Sequence, residues 1–433
     1  MSTKLHKIAM KARADKSIRF TSLAHLLTSE FLIETWNMMN RKGACGIDKV
    51  SMEEFGIDLT NKIGKLIDQL KEGTYKPLPV RRVEIPKNGN TKETRPLGIP
   101  TVEDRLIQKA VSRILEAIFE EEFLDCSFGF RPGQGPHAAL SKLRSHIVAN
   151  KVSQIYEADI KGYFNNINHH WLRKMLEHRI ADPVVLRLVG KWLKAGVMTN
   201  GVVVVNSSGT PQGGPISCVL SNIYLHYVLD LWFEKRIKPI AQGQANLIRF
   251  VDDFVACFQY KRDATEFEKK LAERMQKFSL ELVPDKTKRI SFGRFARERE
   301  RKFGVKAGSF VFLGFNHVCG EDKNGNFSLI RIPGHKSCRK FLDKVHDWFR
   351  CRFHWKVRDQ QKHLSVMLRG FYRYFSLVHC DKKLNWIRRE VHLIWRRSLR
   401  RRGQRQCVHW SYLTGCDWFE LPYPPSTAIH QFV

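Results

Sequence analysis

The sequence predicts an α+β fold in which a segment of mixed helices and strands is followed by an all-helical one. Apolar residues recur at helical spacing over residues 20–75, and strand signals begin near Val80. From about residue 335 the strand signals stop, and helical spacing returns with many Trp and Arg residues. The predicted parts are residues 1–79, 80–330 and 331–433.

The charge balance favours nucleic acid as the partner. The 433 residues include 74 Lys and Arg against 43 Asp and Glu, a formal net charge of +31. A field of that sign attracts polyanions, and the cations are interleaved with aromatic residues along the chain. An anionic membrane surface and a role in solubility are the alternatives. Since no apolar stretch of membrane-spanning length stands out, we expect no membrane partner.

The cysteines and the N-terminus predict a cytoplasmic protein. The ten cysteines form no Cys-x-x-Cys pair, and the nearest pairs, Cys338 with Cys351 and Cys407 with Cys416, lack zinc-finger spacing. We interpret them as reduced thiols. Residues 1–20 are basic and lack the apolar core of a secretory signal, and an organellar transit peptide is the alternative.

Several elements of the mixed segment follow from local patterns. Residues 80–86 and 94–99 are strand-like and flank Asn88-Gly89, which is typical of a hairpin turn. Thr101, with Asp104 three residues later, predicts a capped helix. A further strand is predicted over residues 152–160 and a helix over residues 216–234. Helical spacing predicts two helices in the last part, with apolar stripes at Leu364, Met367, Leu368, Phe371 and Phe375 and at Leu384, Ile387, Val391, Ile394 and Trp395.

The strongest chemical signal is the pair Asp252-Asp253 between the strand-like residues 247–251 and 254–258. Hairpin turns usually carry Asn-Gly or Asp-Gly, whereas two adjacent carboxylates at a turn repel each other. A solvated turn is the alternative, but a divalent metal site is favoured because Mg²⁺ takes oxygen ligands from a few carboxylates. Asp159, at the end of another predicted strand, is the candidate third carboxylate, although alone it would be a cap or a loop acid.

Three other stretches carry weaker signals. Gly133-x-Gly135-x-x-Ala138 fits a dinucleotide-binding pattern, but its prolines disfavour that turn. Residues 209–215 are Gly-rich but lack the Gly-Lys-Ser/Thr ending of a phosphate-binding loop. His169-His170 has no nearby Cys or acid, so we expect no metal there.

Taken in order, these motifs resemble the reverse transcriptases encoded by group II introns. Seven blocks follow the order of that family over residues 80–315. They are residues 94–105 (Thr-Arg-Pro-Leu-Gly-Ile-Pro-Thr, then Asp-Arg), 128–133, 158–164, 209–217, 250–253, 282–287 and 312–315. Residues 43–48 resemble an early finger segment, and residues 368–375 with the Arg-rich helix after them resemble the thumb, or maturase, region.

The resemblance implies a right-hand polymerase with fingers, a palm built on an antiparallel sheet, and a helical thumb. It implies two Mg²⁺ ions, with Asp159, Asp252 and Asp253 as their carboxylate ligands and the backbone carbonyl of Ile160 as a further ligand. Phe164 matches the residue whose ring leaves no room for a ribose 2′-hydroxyl, so the enzyme is expected to prefer dNTPs.

The resemblance also assigns contacts to nucleotide, primer and RNA. The residues that match nucleotide-binding positions are Lys87, Arg95, Phe164, Gln212 and Lys286. Those that match the primer grip are Phe312, Leu313, Gly314 and Phe315. The basic helical surface expected to hold RNA phosphates carries Arg369, Arg388, Arg389, Arg396 and Arg397.

The sequence departs from the family pattern in two ways. Phe250 and Val251 stand where the family more often has Tyr and Ala, which leaves the metal ligands in place but changes the surroundings of the primer end. No His-Asn-His or Cys-pair endonuclease module follows the thumb, so we expect integration to depend on a DNA end or nick made elsewhere.

The leading hypothesis is an RNA-directed DNA polymerase that works on an RNA template with a DNA or RNA primer and dNTPs, and that binds its own group II intron RNA as a maturase. One alternative is a splicing protein whose polymerase is idle. Another is a domesticated reverse transcriptase in phage defence or repair.

Overall fold

The computed structural model describes residues 3–87, 90–199, 202–204, 208–210, 213–304, 306–402, 410–426 and 428–430. Its α-helices are α1 (Thr3–Ala14), α2 (Ser29–Asn37), α3 (Met52–Ile57), α4 (Leu59–Glu72), α5 (Val102–Phe119), α6 (Pro136–Ala149), α7 (Tyr163–Asn166), α8 (His169–Glu177), α9 (Pro183–Lys194), α10 (Pro215–Leu225), α11 (Lys261–Lys277), α12 (Arg294–Phe303), α13 (His335–Arg352), α14 (Val357–Phe375), α15 (Asp381–Arg400) and α16 (Trp410–Thr414). Its strands are β1 (Val80–Lys87), β2 (Asn90–Ile99), β3 (Gln154–Asp159), β4 (Val197–Thr199), β5 (Val202–Val204), β6 (Ala245–Phe250), β7 (Asp253–Phe258), β8 (Lys288–Ser291), β9 (Ser309–Phe312), β10 (Phe315–Glu321) and β11 (Phe327–Pro333). The predicted α+β class is confirmed.

The strands form three sheets, ordered β2-β1-β4-β5, β6-β7-β3-β8 and β11-β10-β9. All neighbouring strands are antiparallel except β1 and β4, which are parallel. The predicted hairpin is confirmed as β1 and β2, while its turn residues, Asn88 and Gly89, lie outside the described part of the chain.

The buried helix α5 begins as the sequence predicts. The Thr101 side chain accepts a hydrogen bond from the Asp104 backbone N–H, which caps the helix. The carboxylate of Asp104 does not reach back to a free backbone amide of the first turn. It accepts hydrogen bonds from the hydroxyl groups of Thr101 (2.8 Å) and Tyr75 instead, and so ties the helix to the segment that leads into β1.

The helix predicted over residues 216–234 is longer than expected. After α10 it continues through two π-helical turns, His226–Asp230 and Phe233–Ile237. The whole run, Pro215–Ile240, has 26 residues and is long and apolar enough to cross a membrane, so the expectation of no such stretch is wrong. However, 78% of its most apolar window is buried inside the fold, as in the core helix of a globular protein.

The β6-β7-β3-β8 sheet separates two apolar cores. Side chains on one face, such as Ala158 and Phe254, join a core with α5 and α10. Side chains on the other face, such as Ile155 and Val255, join a second core with the β9–β11 sheet and helices α13, α14 and α15. This second core continues without a break across residue 330. The division into three parts at that point stays a prediction.

Candidate active site

Two of the predicted metal-binding carboxylates lie opposite each other at the same end of the β6-β7-β3-β8 sheet. Asp159, the last residue of β3, pairs in register with Asp253, the first residue of β7. The Asp159 carbonyl accepts a hydrogen bond from Val283 N–H (2.9 Å) on the other side of β3. The Asp159–Asp253 pair is therefore of the non-hydrogen-bonded kind, in which Cα atoms lie about 4.5 Å apart and side chains are closest.

The third carboxylate belongs to the turn that joins β6 to β7. Phe250 pairs with Asp253, so the two-residue turn consists of Val251 and Asp252. The sequence predicted that Val251 ends the first strand and that Asp252 and Asp253 form the turn. In the structure the turn begins one residue earlier, at Val251. Val251 adopts a φ of 61°, which is uncommon for a β-branched residue and requires support from the surrounding structure.

The carbonyl of Ile160 points toward this turn. Ile160 forms an isolated antiparallel bridge with Leu282, and the hydrogen bonds of that bridge involve Asp159 and Lys161 instead of Ile160. Because backbone groups alternate along a strand, the Ile160 carbonyl is directed to the β7 side of β3, where the Val251–Asp252 turn lies. Its direction fits the further ligand that the resemblance implies.

Acidic groups concentrate charge at this end of the sheet. Burial, followed by repulsion from Asp159, Glu157 and Asp252, raises the pKa of Asp253 to about 8. Glu157 lies two residues before Asp159 and so on the same face of β3, and burial raises its pKa to about 7. Glu157 was not predicted to belong to this site, although its i, i+2 spacing from Asp159 on a predicted strand was the available signal.

Lys286 reaches the acidic cluster from the segment before β8. Its Nζ atom forms an ion pair with Asp159 Oδ2, and the Lys286 side chain is 57% exposed. The resemblance places this lysine near the triphosphate of the nucleotide. The structure brings it to the edge of the carboxylate site, in contact with one of the predicted metal ligands.

The donor set suits a hard divalent cation, since it consists of carboxylate oxygens and one backbone carbonyl. Within the described residues, no group of three or more His, Cys, Asp or Glu side chains is already gathered as a metal site. Lys286 is bound to Oδ2 of Asp159, so a cation at Asp159 would compete with it for that oxygen. None of the described cysteines forms a disulfide bond, and His169 hydrogen-bonds to the Gly209 carbonyl (2.7 Å).

The predicted nucleotide-binding residues are only partly described. Lys87 and Arg95 belong to β1 and β2, but their side chains lie outside the described part, as does Gln212 altogether. Phe164 is the second residue of α7, and its carbonyl accepts a hydrogen bond from Thr210 N–H (2.7 Å). Phe164 is thus fixed to the Gly-rich loop, close in sequence to Asp159.

The predicted primer grip is a tight hairpin between β9 and β10. Phe312 pairs with Phe315, and Leu313 and Gly314 form the turn with φ values of 49° and 80°. Positive φ at both positions is the type I′ pattern that suits twisted strands. The Tyr374 hydroxyl group donates to the Leu313 carbonyl (2.9 Å) and holds the turn against α14.

The predicted RNA-binding arginines differ in their surroundings. Three of them are exposed to solvent, namely Arg369, Arg389 and Arg397. Arg388 donates to the Leu421 carbonyl (3.0 Å) and lies 3.6 Å from the centre of the Tyr423 ring. Arg396 lies 5.5 Å from the centre of the Trp410 ring. The last two therefore also hold the C-terminal segment against α15.

A buried ion pair behind the turn was not predicted at all. Arg249 in β6 and Asp230 in the π-helical turn are both completely buried and lie 2.6 Å apart. An arginine within an apolar strand, two residues before an acidic turn, was the signal in the sequence. Its partner is 19 residues away and could not be chosen from the sequence.

An antiparallel sheet with carboxylates at one end, in a chain of net charge +31, fits the class of nucleic-acid polymerases. Residues 85–317 match the family described as reverse transcriptase (RNA-dependent DNA polymerase). The chain belongs to this family.

Relatives of known name point to group II introns. The chain is 41% identical to the group II intron-encoded protein LtrA of Lactococcus lactis subsp. cremoris over 235 residues, which are 52% of this chain but only 38% of that protein. It is 30% identical to protein YkfC of Escherichia coli (strain K12) over 377 residues, or 81% of this chain and 96% of YkfC. It is also 28% identical over 95 residues to nuclear intron maturase 1, mitochondrial, of Arabidopsis thaliana, which is 22% of this chain and 13% of that protein. The resemblance to the group II intron-encoded family is confirmed.

Proposed function

We propose that this chain is an RNA-directed DNA polymerase that adds dNTPs to a primer on an RNA template with two Mg²⁺ ions. The observation that carries the proposal is the register pairing of Asp159 with Asp253 beside Asp252 in the turn. Bound at these carboxylates and the Ile160 carbonyl, Mg²⁺ would activate the primer 3′-hydroxyl and stabilise charge on the leaving pyrophosphate. The clustering of acids at one sheet end supports this assignment, because a cation relieves their repulsion.

The remaining contacts follow the arrangement of a right hand. We assign the β2-β1-β4-β5 sheet and the N-terminal helices to the fingers, the β6-β7-β3-β8 sheet to the palm, and α13, α14 and α15 to the thumb. Lys87, Arg95, Lys286 and Gln212 are proposed to hold the incoming nucleotide, and the Phe312–Phe315 hairpin to hold the primer end. The tight turn and its bond to Tyr374 give that hairpin the rigidity that positioning requires.

We also propose that the chain binds a group II intron RNA, acts in the cytoplasm and assists splicing. The names of its relatives and the exposed arginines of α14 and α15 support the binding of intron RNA and the role in splicing. A splicing protein with an idle polymerase is disfavoured because all three carboxylates are present. A domesticated polymerase in phage defence or repair would have the same fold. If the reading frame of this chain lies within a folded intron RNA, that alternative is excluded.

Primer extension with Asp252→Asn tests the polymerase. The substitution keeps the size of the side chain but removes its charge, so extension on an RNA template should be lost while RNA binding persists. Asp68→Asn, an exposed acid on α4, is the matched control and should extend primers normally. Normal extension by Asp252→Asn would show that the site is wrong. Wild-type protein that speeds intron splicing but extends no primer would establish the idle-polymerase alternative.

A further inference from the structure

Arg249 is the buried anchor of the strand that leads into the acidic turn. Its Nε and Nη2 atoms donate to the two carboxylate oxygens of Asp230 at 2.7 and 2.6 Å. Burial, the largest single effect, disfavours the charged guanidinium, but the attraction and hydrogen bonds of Asp230, together with Cys126 and Tyr163, outweigh it and raise the pKa of Arg249. The bidentate pair is therefore a fixed point inside the protein.

The other donors of Arg249 hold the turn and its surroundings. Nη1 donates to the Val251 carbonyl (3.0 Å) and to Asn222 Oδ1 (3.2 Å), while Nη2 also donates to Ser127 Oγ (2.7 Å). Asn222 in turn donates from Nδ2 to the Gly129 carbonyl (2.7 Å). One guanidinium group thus connects the first residue of the turn to α10 and to the segment around Gly129.

The segment around Gly129 contacts the Val251–Asp252 turn on the side opposite the Arg249 guanidinium. Phe128 N–H donates to the Arg249 carbonyl (2.9 Å), so residues 127–129 run beside the end of β6. A Cβ atom on Gly129 would lie 2.6 Å from the Val251 nitrogen, so the two backbones are in direct contact. Val251 is held at positive φ between this backbone and the Arg249 guanidinium, and Asp252 follows it directly.

We propose that Arg249, held by Asp230, is a positioning residue that fixes the Val251–Asp252 turn and thereby the direction of the Asp252 carboxylate. The catalytic consequence rests on the proposed function, but the effect on the turn does not. Lysine at position 249 keeps the charge and can still pair with Asp230. It lacks the planar fork, so it cannot at the same time hold the Val251 carbonyl and Ser127.

Arg249→Lys and the milder Ser127→Ala test the proposal in the full chain. For Arg249→Lys we expect kcat to fall about 10- to 100-fold, since a carboxylate displaced by about 1 Å loses roughly that much, and the Mg²⁺ concentration for half-maximal rate to rise. The affinity for template and primer should not change. Ser127→Ala should shift both quantities in the same direction by a smaller factor. Amide hydrogen exchange over residues 245–258 should become faster in both variants.

Arg179→Lys is the matched control. Arg179 is also buried (2% exposed), pairs with Glu122 and bonds to the backbone carbonyls of Lys16 and Ala12, and none of these partners lies within residues 245–258. The Arg179→Lys substitution should lower stability and leave the Mg²⁺ dependence and the hydrogen exchange of residues 245–258 unchanged. If both substitutions acted only through a general loss of stability, Arg179→Lys and Arg249→Lys would change the Mg²⁺ dependence and the hydrogen exchange of residues 245–258 to the same extent. That result would overturn the proposal.

A rescue experiment addresses the strained residue directly. Glycine adopts positive φ without strain, so the turn of Val251→Gly should depend less on the guanidinium. In that background Arg249→Lys should lower kcat by a clearly smaller factor than in the parent chain. An equal factor in both backgrounds would contradict the proposal. If wild-type protein extends no primer, the proposed function fails, and the hydrogen-exchange comparison alone still decides whether Arg249 fixes the turn.

Discussion

Gly129→Ala should impair polymerisation by pushing on the acidic turn. An added Cβ would lie 2.4 Å from Val251 Cγ2, 2.6 Å from the Val251 nitrogen and 3.2 Å from the Phe250 carbonyl carbon. The valine side chain has little freedom at χ1, and the other two atoms are backbone. The contact to the Val251 nitrogen is about 0.8 Å short of the 3.4 Å at which ordinary contact begins, so the turn has to move by about that distance.

A shift of that size at a reacting group is worth about 10²-fold in rate. We therefore expect Gly129→Ala to lower the single-turnover rate of primer extension by roughly 10- to 100-fold at saturating dNTP, and to cost about 1–3 kcal/mol of stability through overpacking. The assay is rapid-quench extension of a labelled DNA primer on an RNA template, below the unfolding temperature of every variant.

Gly190→Ala is the matched control for this prediction. Gly190 lies in α9, and a Cβ there meets no atom within 4 Å. Alanine is the better helix former, so stability should rise by up to about 1 kcal/mol with no change in rate. Wild-type rates for Gly129→Ala would refute the reasoning that the turn is held in place by this backbone contact.

Three further predictions concern the nucleotide, the lysine at the acidic site and acid stability. Phe164→Ala should raise incorporation of rNTPs relative to dNTPs in single-nucleotide extension, and an unchanged ratio would remove Phe164 from the site. Lys286→Gln should raise the KM for dNTP if this lysine holds the triphosphate, whereas a lower Mg²⁺ requirement at constant KM would show that it only competes with the metal at Asp159. Burial lowers the pKa of His226 from 6.5 to about 4, so the unfolded chain binds more protons between these values. The contribution of His226 to stability is complete above pH 6.5 and is lost as the pH falls toward 4, by at most about 1.4 kcal/mol per pH unit. In urea unfolding at pH 7.5 and 5.5, His226→Phe should reduce the difference between the two midpoints, and an unchanged difference would contradict this role.

Elements defined by local pattern were predictable from the sequence. The β1–β2 hairpin, the Thr101 cap and helices α14 and α15 follow from periodicity, turn residues and capping, which act within a few residues. The pairing of β3 with β7 was predictable only as a consequence of the resemblance, since strand-like patterns do not specify their partners.

The details of the acidic site depend on contacts between distant residues. The side chain of Val251 disfavours its own φ, so the position of the turn is set by Gly129 and Arg249 and not by local preference. The ion pair of Lys286 with Asp159 joins residues 127 positions apart. None of these contacts leaves a periodic pattern in the sequence. Because Gly129 and Arg249 set the conformation of Val251, the turn was predicted one residue late.

The second apolar core has a consequence for dividing this chain. Ile155, Ile248 and Val255 of the carboxylate-bearing sheet share that core with Val345 and Leu368 of the C-terminal helices. A fragment cut at residue 330 would bare these sheet residues to water, and we expect it to aggregate. The C-terminal helices therefore stabilise the carboxylate-bearing sheet. A substitution in the interior of these helices should reduce DNA synthesis even if the substituted residue touches no nucleic acid.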